Sequence, residues 1–97
     1  MSKGYWVSSY RKTNDPQKLT AYAQLAPAAV AAAGGKFLVR GVADETREQG
    51  LKERTVVIEF PSYEQAVAAY ESEEYKKALA ALGDGVERDL RIVRGTD

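Results

Sequence analysis

Arg40 and Glu59 stand inside two otherwise apolar runs, Lys36-Phe37-Leu38-Val39-Arg40-Gly41 and Thr55-Val56-Val57-Ile58-Glu59-Phe60. Charges in such segments need a reason, because an ion on a packed surface is costly unless it is paired. An arginine fork grips a carboxylate or enolate through two parallel hydrogen bonds. A glutamate beside it can orient that fork, or act as base toward an acidic carbon. If Arg40 faces Val57 on the neighbouring strand, Glu59 is its diagonal neighbour and within reach. Trp6, Tyr10, Tyr22 and Arg54 are the further candidates for ligand contact, offering flat walls and a second cation. Asp89 on the last strand is a second carboxylate able to serve as base. Plainer roles stand beside these. Arg40 and Glu59 also fit a structural ion pair, Trp6 and Tyr10 interface packing, Tyr22 core, and Arg54 a solvated cation.

Composition narrows the chemistry further. The chain has no cysteine and no histidine. Disulfides, thiolate nucleophiles and a Ser-His-Asp triad are therefore excluded, and the commonest metal and haem ligand is missing. We expect a function without metal or prosthetic group, resting on carboxylates, cations and phenols. Fourteen acidic and 14 basic residues balance to zero net charge, which argues against nucleic acid as partner. The N-terminus lacks the apolar run of a targeting signal, and no apolar stretch approaches the ~20 residues of a membrane helix. A cytoplasmic protein that binds no membrane is the expectation.

The elements that position these residues follow from local signals. Residues 4–11 read as a strand rich in aromatic and β-branched types. Asn14-Asp15-Pro16 starts a helix whose buried stripe is Leu19, Tyr22, Ala23, Ala26 and Val30. Pro27 predicts a kink or restart, with 28–33 as a second short segment. Gly34 suits the left-handed end of that helix. Strands at 36–42 and 52–60 flank a polar connection at 43–50, and Pro61 stops the second. Ser62-Tyr63-Glu64-Gln65 is a capping box, and Ser72-Glu73-Glu74 opens another helical segment. Residues 86–94 form the last strand. One domain spanning 1–97 results, in the order β-α-β-β-α-(α)-β: an α+β, ferredoxin-like sandwich with a four-stranded antiparallel sheet and helices on one face.

Alternation then sorts side chains between the two faces of the sheet. Val7, Phe37, Val39, Val56, Ile58, Phe60, Leu90 and Ile92 are assigned beneath the helices. Trp6, Ser8, Tyr10, Leu38, Arg40, Val42, Thr55, Val57, Glu59, Asp89, Arg91 and Val93 are assigned to the open face. A half-apolar open face of on the order of several hundred Å2 is more than a monomer usually leaves in water. A homodimer through that face is expected, with the ligand cleft between sheet and partner.

The same residues carry a family resemblance over nearly the whole chain. Gly4-Tyr5-Trp6, Gly34-Gly35-Lys36-Phe37-Leu38-Val39-Arg40-Gly41, Val56-Val57-Ile58-Glu59-Phe60-Pro61-Ser62 and Tyr70…Ser72…Glu74-Tyr75 occur in one order. That set resembles the bacterial domain-of-unknown-function family thirteen-thirty, a branch of the dimeric α/β-barrel superfamily. Two positions depart from the family pattern: Val42 stands where a second glycine is common, and Glu73 where a proline is. The resemblance implies paired ferredoxin-like protomers but no activity, since the superfamily includes cofactor-free oxygenases, haem-degrading enzymes, isomerases and simple ligand binders. Without a histidine, haem degradation is set aside. The expectation is a protein that binds or transforms a small anionic or aromatic molecule; the alternative is a non-catalytic dimerisation or docking module.

Overall fold

The computed structural model describes residues 2–96. Its elements are β1 (Gly4–Thr13), α1 (Pro16–Ala32), β2 (Lys36–Val42), β3 (Arg54–Phe60), α2 (Tyr63–Tyr70), α3 (Glu73–Leu82) and β4 (Val86–Arg94). The strands form one antiparallel sheet in the order β2-β3-β1-β4. With the helices packed on one side, this is the ferredoxin-like α+β fold expected. Among the described residues no helix is long and apolar enough to cross a membrane.

Local chemistry accounts for the helix ends. The Asp15 carboxylate accepts the N–H groups of Gln17 and Lys18, and Pro16 fills the first turn, so the donors a helix start leaves unpaired are answered. Gly34 closes α1 with φ +87°, a backbone region where a side chain would be strained. Ser62 accepts from the Gln65 amide and Ser72 from the Tyr75 amide, which separates α2 from α3. Pro27 does not divide α1, which runs unbroken through it. The proline removes the N–H that the Ala23 carbonyl would accept. Ala23 is exposed, so water can serve that carbonyl, while buried Ala26, Ala29 and Val30 hold the helix to the core.

The faces of the sheet differ from expectation on two strands. On β1 the buried residues are Gly4, Trp6, Ser8 and Tyr10, while Val7 points to the open side. The cause lies at Gly4. A Cβ there would sit 2.7 Å from the Ser62 carbonyl oxygen and 2.8 Å from the Ala66 Cβ, so the start of α2 rests directly on this residue. Alternation then carries Trp6, Ser8 and Tyr10 beneath the helices as well. On β2 the register with β3 shifts between Phe37 and Val39. The extra residue of this bulge reverses every later side chain. Val39 is therefore turned outward, and Arg40 and Val42, opposite Val56 and Arg54, are turned to the helix side. The remaining assignments agree: Phe37, Val56, Ile58, Phe60, Leu90 and Ile92 face the helices, and Leu38, Thr55, Val57, Glu59, Asp89, Arg91 and Val93 do not.

Candidate functional site

Two cations from neighbouring strands reach the edge of the helix layer. Arg40 and Arg54, with Tyr10 of β1 and Tyr22 of α1, border a cleft of about 310 Å3 whose apolar wall is Leu19, Ala23, Ala26 and Pro27. The Arg40 guanidinium lies 4.4 Å from the centre of the Phe37 ring, and that of Arg54 lies 6.0 Å from the centre of Tyr10. Behind this cleft is a smaller chamber of about 30 Å3, bordered again by Tyr10, Tyr22 and Arg54, by the polar Ser8 and Arg88, and by apolar side chains of the core including Trp6, Phe37 and Leu90. Among the described residues no aspartate or glutamate borders either space.

Arg88 is the organising group of the inner end. It donates to the Tyr75 hydroxyl at 2.9 Å and to the Tyr22 hydroxyl at 3.3 Å, and the two phenol oxygens lie 2.6 Å apart. Among the described residues no carboxylate pairs with Arg40, Arg54 or Arg88; the ion pairs of the sheet are Lys3–Glu59 at 2.6 Å and Arg11 and Arg91 with Asp89. Only one phenol of a touching pair can donate to the other. Tyr75 is buried and among the described residues its hydroxyl meets only Tyr22 and Arg88, whereas Tyr22 borders the cleft. Leaving the Tyr75 proton unpaired inside the core would be costly. Tyr75 therefore donates to Tyr22, and the Tyr22 O–H is left to donate into the cleft.

Burial pushes the Tyr75 phenol well above its ordinary value; Tyr22 adds to the shift and Arg88 opposes it. Burial also works against the Arg88 charge, but Tyr22 and Tyr75 outweigh it and the guanidinium ends above its usual value. A raised folded pKa means that Tyr75 favours folding fully below the ordinary tyrosine value of 10.0. That contribution is lost as the pH rises from there toward the folded value. In an alkaline titration followed by tyrosinate absorbance, Tyr75→Phe is expected to take one tyrosine's share from the part of the change that accompanies unfolding. Loss of amplitude near pH 10 instead would place Tyr75 in contact with solvent.

The structure brings together four of the expected ligand contacts, Arg40, Arg54, Tyr10 and Tyr22, but on the helix side of the sheet rather than the open side. Trp6 does not reach the open face either. It is 2 % exposed, and its indole N–H donates to the Ala66 carbonyl at 2.8 Å. Glu59 and Asp89 stay on the open face, so Arg40 and Glu59 are separated by the thickness of the sheet. Lys3 holds Glu59, and Asp89 is held by Arg91 and Arg11, which keep its carboxyl below the usual range. Ser8, Tyr75 and Arg88 were not singled out as site residues from the sequence. Alternation offered one signal for Arg88, which is two residues before Leu90 and four before Ile92 and so shares their helix-facing side.

A larger hollow, about 730 Å3, lies on the open side between residues 43–51 and Ser9, Arg11, Asp89 and Arg91. Its charges already answer one another, since Asp89 meets Arg11 and Arg91 and Arg47 meets Glu45. Space alone does not make a site; unpaired donors do. The cleft under α1 has them.

Known structures share the fold at low identity. A protein of unknown function from Rhodopseudomonas palustris superposes with a TM-score of 0.75 at 14% identity, over 99% of this chain and 84% of that one. A dimeric ferredoxin-like protein of unknown function from Thermobifida fusca gives 0.65 at 17%, over 96% and 91%. A suggested antibiotic biosynthesis monooxygenase from Caulobacter crescentus gives 0.60 at 17%, over 99% and 91%. No curated protein matches the chain. The family model described as domain of unknown function DUF1330 matches residues 3–96, nearly the full length, and the chain belongs to that family.

Proposed function

We propose that the cleft under α1 binds a small organic anion with a flat apolar body, and that the chain works as a homodimer through its open sheet face. One observation carries the first part: guanidinium groups converge on an apolar-walled cleft, and no carboxylate among the described residues neutralises them. Arginine forks prefer planar oxyanions such as carboxylates. Leu19, Ala23, Ala26 and Pro27 suit the carbon skeleton, and a volume of about 310 Å3 lies at the small end of ligand sites. The Tyr22 O–H and the cations would also stabilise an enolate or phenolate, the chemistry of a proton transfer next to a carbonyl. Glu59 and Asp89 are out of reach of a ligand held there, so a base would have to come from the ligand itself or from solvent.

The test is a thermal-shift panel of small aromatic carboxylates, including benzoate and salicylate. A ligand at tenfold its Kd adds about 1.4 kcal/mol, which for a domain of this size raises Tm by roughly 6–11 °C. Arg54→Ala is expected to weaken such binding about ten- to a hundredfold, the worth of a charge-assisted hydrogen bond. Binding of equal strength in Arg54→Ala would remove the cleft from consideration.

The open face supports the assembly. Val39, Val57 and Val7 stand side by side across β2, β3 and β1, and Leu38, Val39 and Val93 are exposed. Among the described residues the helices all pack on the other face of the sheet. The similar Thermobifida fusca protein is described as dimeric.

A further inference from the structure

The Ser8 hydroxyl is the one buried side-chain polar atom without a hydrogen-bond partner among the described residues. Ser8 is 3 % exposed and sits mid-strand between Val56 and Leu90. An alanine would fill the position without an unpaired hydroxyl, so the serine lowers stability as the chain stands. What it faces is the inner chamber of about 30 Å3, room for one water or one ligand oxygen.

The chamber's polar walls are Ser8, Tyr10, Tyr22, Arg54 and Arg88. Guanidinium groups only donate. Arg88 spends two of its N–H groups on Tyr22 and Tyr75, and the side chain of Arg54 makes no hydrogen bond among the described residues. The Tyr22 oxygen already accepts from both Tyr75 and Arg88 by the assignment above. Donors thus outnumber free acceptors. A water could place its two protons only on the hydroxyl oxygens of Ser8 and Tyr10, which would tie up those two donors, whereas an anionic oxygen takes every donor and needs no acceptor.

We propose that this chamber is the anion subsite of the cleft, in which the Ser8 hydroxyl and the Arg54 and Arg88 guanidinium groups hold one negatively charged oxygen of the ligand. The proposal rests on the cleft being the binding site, and it makes Ser8 a recognition residue. Tyr10, Tyr22 and Arg54 border both spaces, so a carboxylate can seat one oxygen in the chamber while its carbon skeleton lies along α1. Arg40 borders only the outer part.

Bromide, a monatomic anion of suitable size, tests the subsite without any knowledge of the ligand. Crystals soaked in sodium bromide are expected to show an anomalous peak in the chamber beside Ser8 and Arg88, absent from Ser8→Ala crystals. Ser8→Ala is expected to fold with an unchanged or higher Tm and to bind benzoate about tenfold more weakly. A chamber that holds only water in bromide, or a peak that persists in Ser8→Ala, overturns the proposal. Benzoate binding that Arg40→Ala weakens and Ser8→Ala leaves unchanged overturns the subsite but keeps the cleft. Bromide seated beside Ser8 with no aromatic carboxylate bound keeps the subsite and rejects the proposed ligand.

Discussion

Trp6→Ala is expected to lose about 4 kcal/mol of folding free energy, within the range for deleting a buried Trp or Phe side chain. The indole lies 5.1 Å from the ring of Phe60, 5.8 Å from Tyr70 and 4.8 Å from Tyr75, all centre to centre. It therefore joins β1 and β3 to both α2 and α3. Its hydrogen bond to Ala66 adds a polar tie across the layers. Small domains are stable by only about 5–15 kcal/mol, so the variant would stand near the folding threshold. Trp6→Phe keeps a ring in place but gives up the N–H and some volume, and is expected to lose about half as much. Urea denaturation at one protein concentration measures both changes, and the chain's single tryptophan gives the wild type a specific fluorescence signal. A loss under 1 kcal/mol accompanied by dissociation of an oligomer would return Trp6 to the open face.

The open face is where sequence alternation places Trp6, and the fold puts it inside. Strand alternation yields two sets of side chains but does not say which lies inside. On β1 the polar Ser8 shares a side with Trp6 and Tyr10, so that side looked amphipathic beside the aliphatic Val7. The deciding residue was Gly4, whose missing side chain admits α2 and so marks the inner face. On β2, Leu38 and Val39 are both apolar, and nothing in their types announces a bulge. These two reversals move Tyr10 and Arg40 together, which is why their association in one site survives the change of face. Glu59 and Asp89 are on strand positions that did not reverse, so they part from Arg40. Helix starts and stops were legible because each is a local bargain between a few backbone groups and one side chain, as at Asp15, Gly34, Ser62 and Ser72. The Arg88–Tyr75–Tyr22 cluster joins residues up to 66 positions apart, and only packing brings them together.

Moving Val7 outward also completes the row on the opposite face, and that row sets the second large effect. Val57→Glu is expected to turn the proposed dimer into a monomer without unfolding the protomer. Val57 stands between Val39 and Val7 in register, near the middle of the sheet. In a twofold assembly a substitution there introduces two carboxylates, one from each copy, into the apolar centre of the contact. An unpaired charge taken out of water costs several kcal/mol after relaxation. With two such charges, the dissociation constant rises on the order of a thousandfold or more, at 1.4 kcal/mol for each factor of ten. Within the protomer Val57 points away from the helices and lies outside the core built around Trp6 and Phe60, so that core is untouched. Sedimentation at micromolar concentration is expected to show a dimer for the wild type and a species near 10.6 kDa for Val57→Glu, with circular dichroism unchanged. The benzoate response separates this face from the cleft: the α1 cleft is enclosed by one protomer's own residues, so the monomeric variant is expected to retain it. A variant that stays dimeric would mean the valine row is not the contact, and one that loses benzoate binding on dissociation would mean the partner helps to shape the cleft.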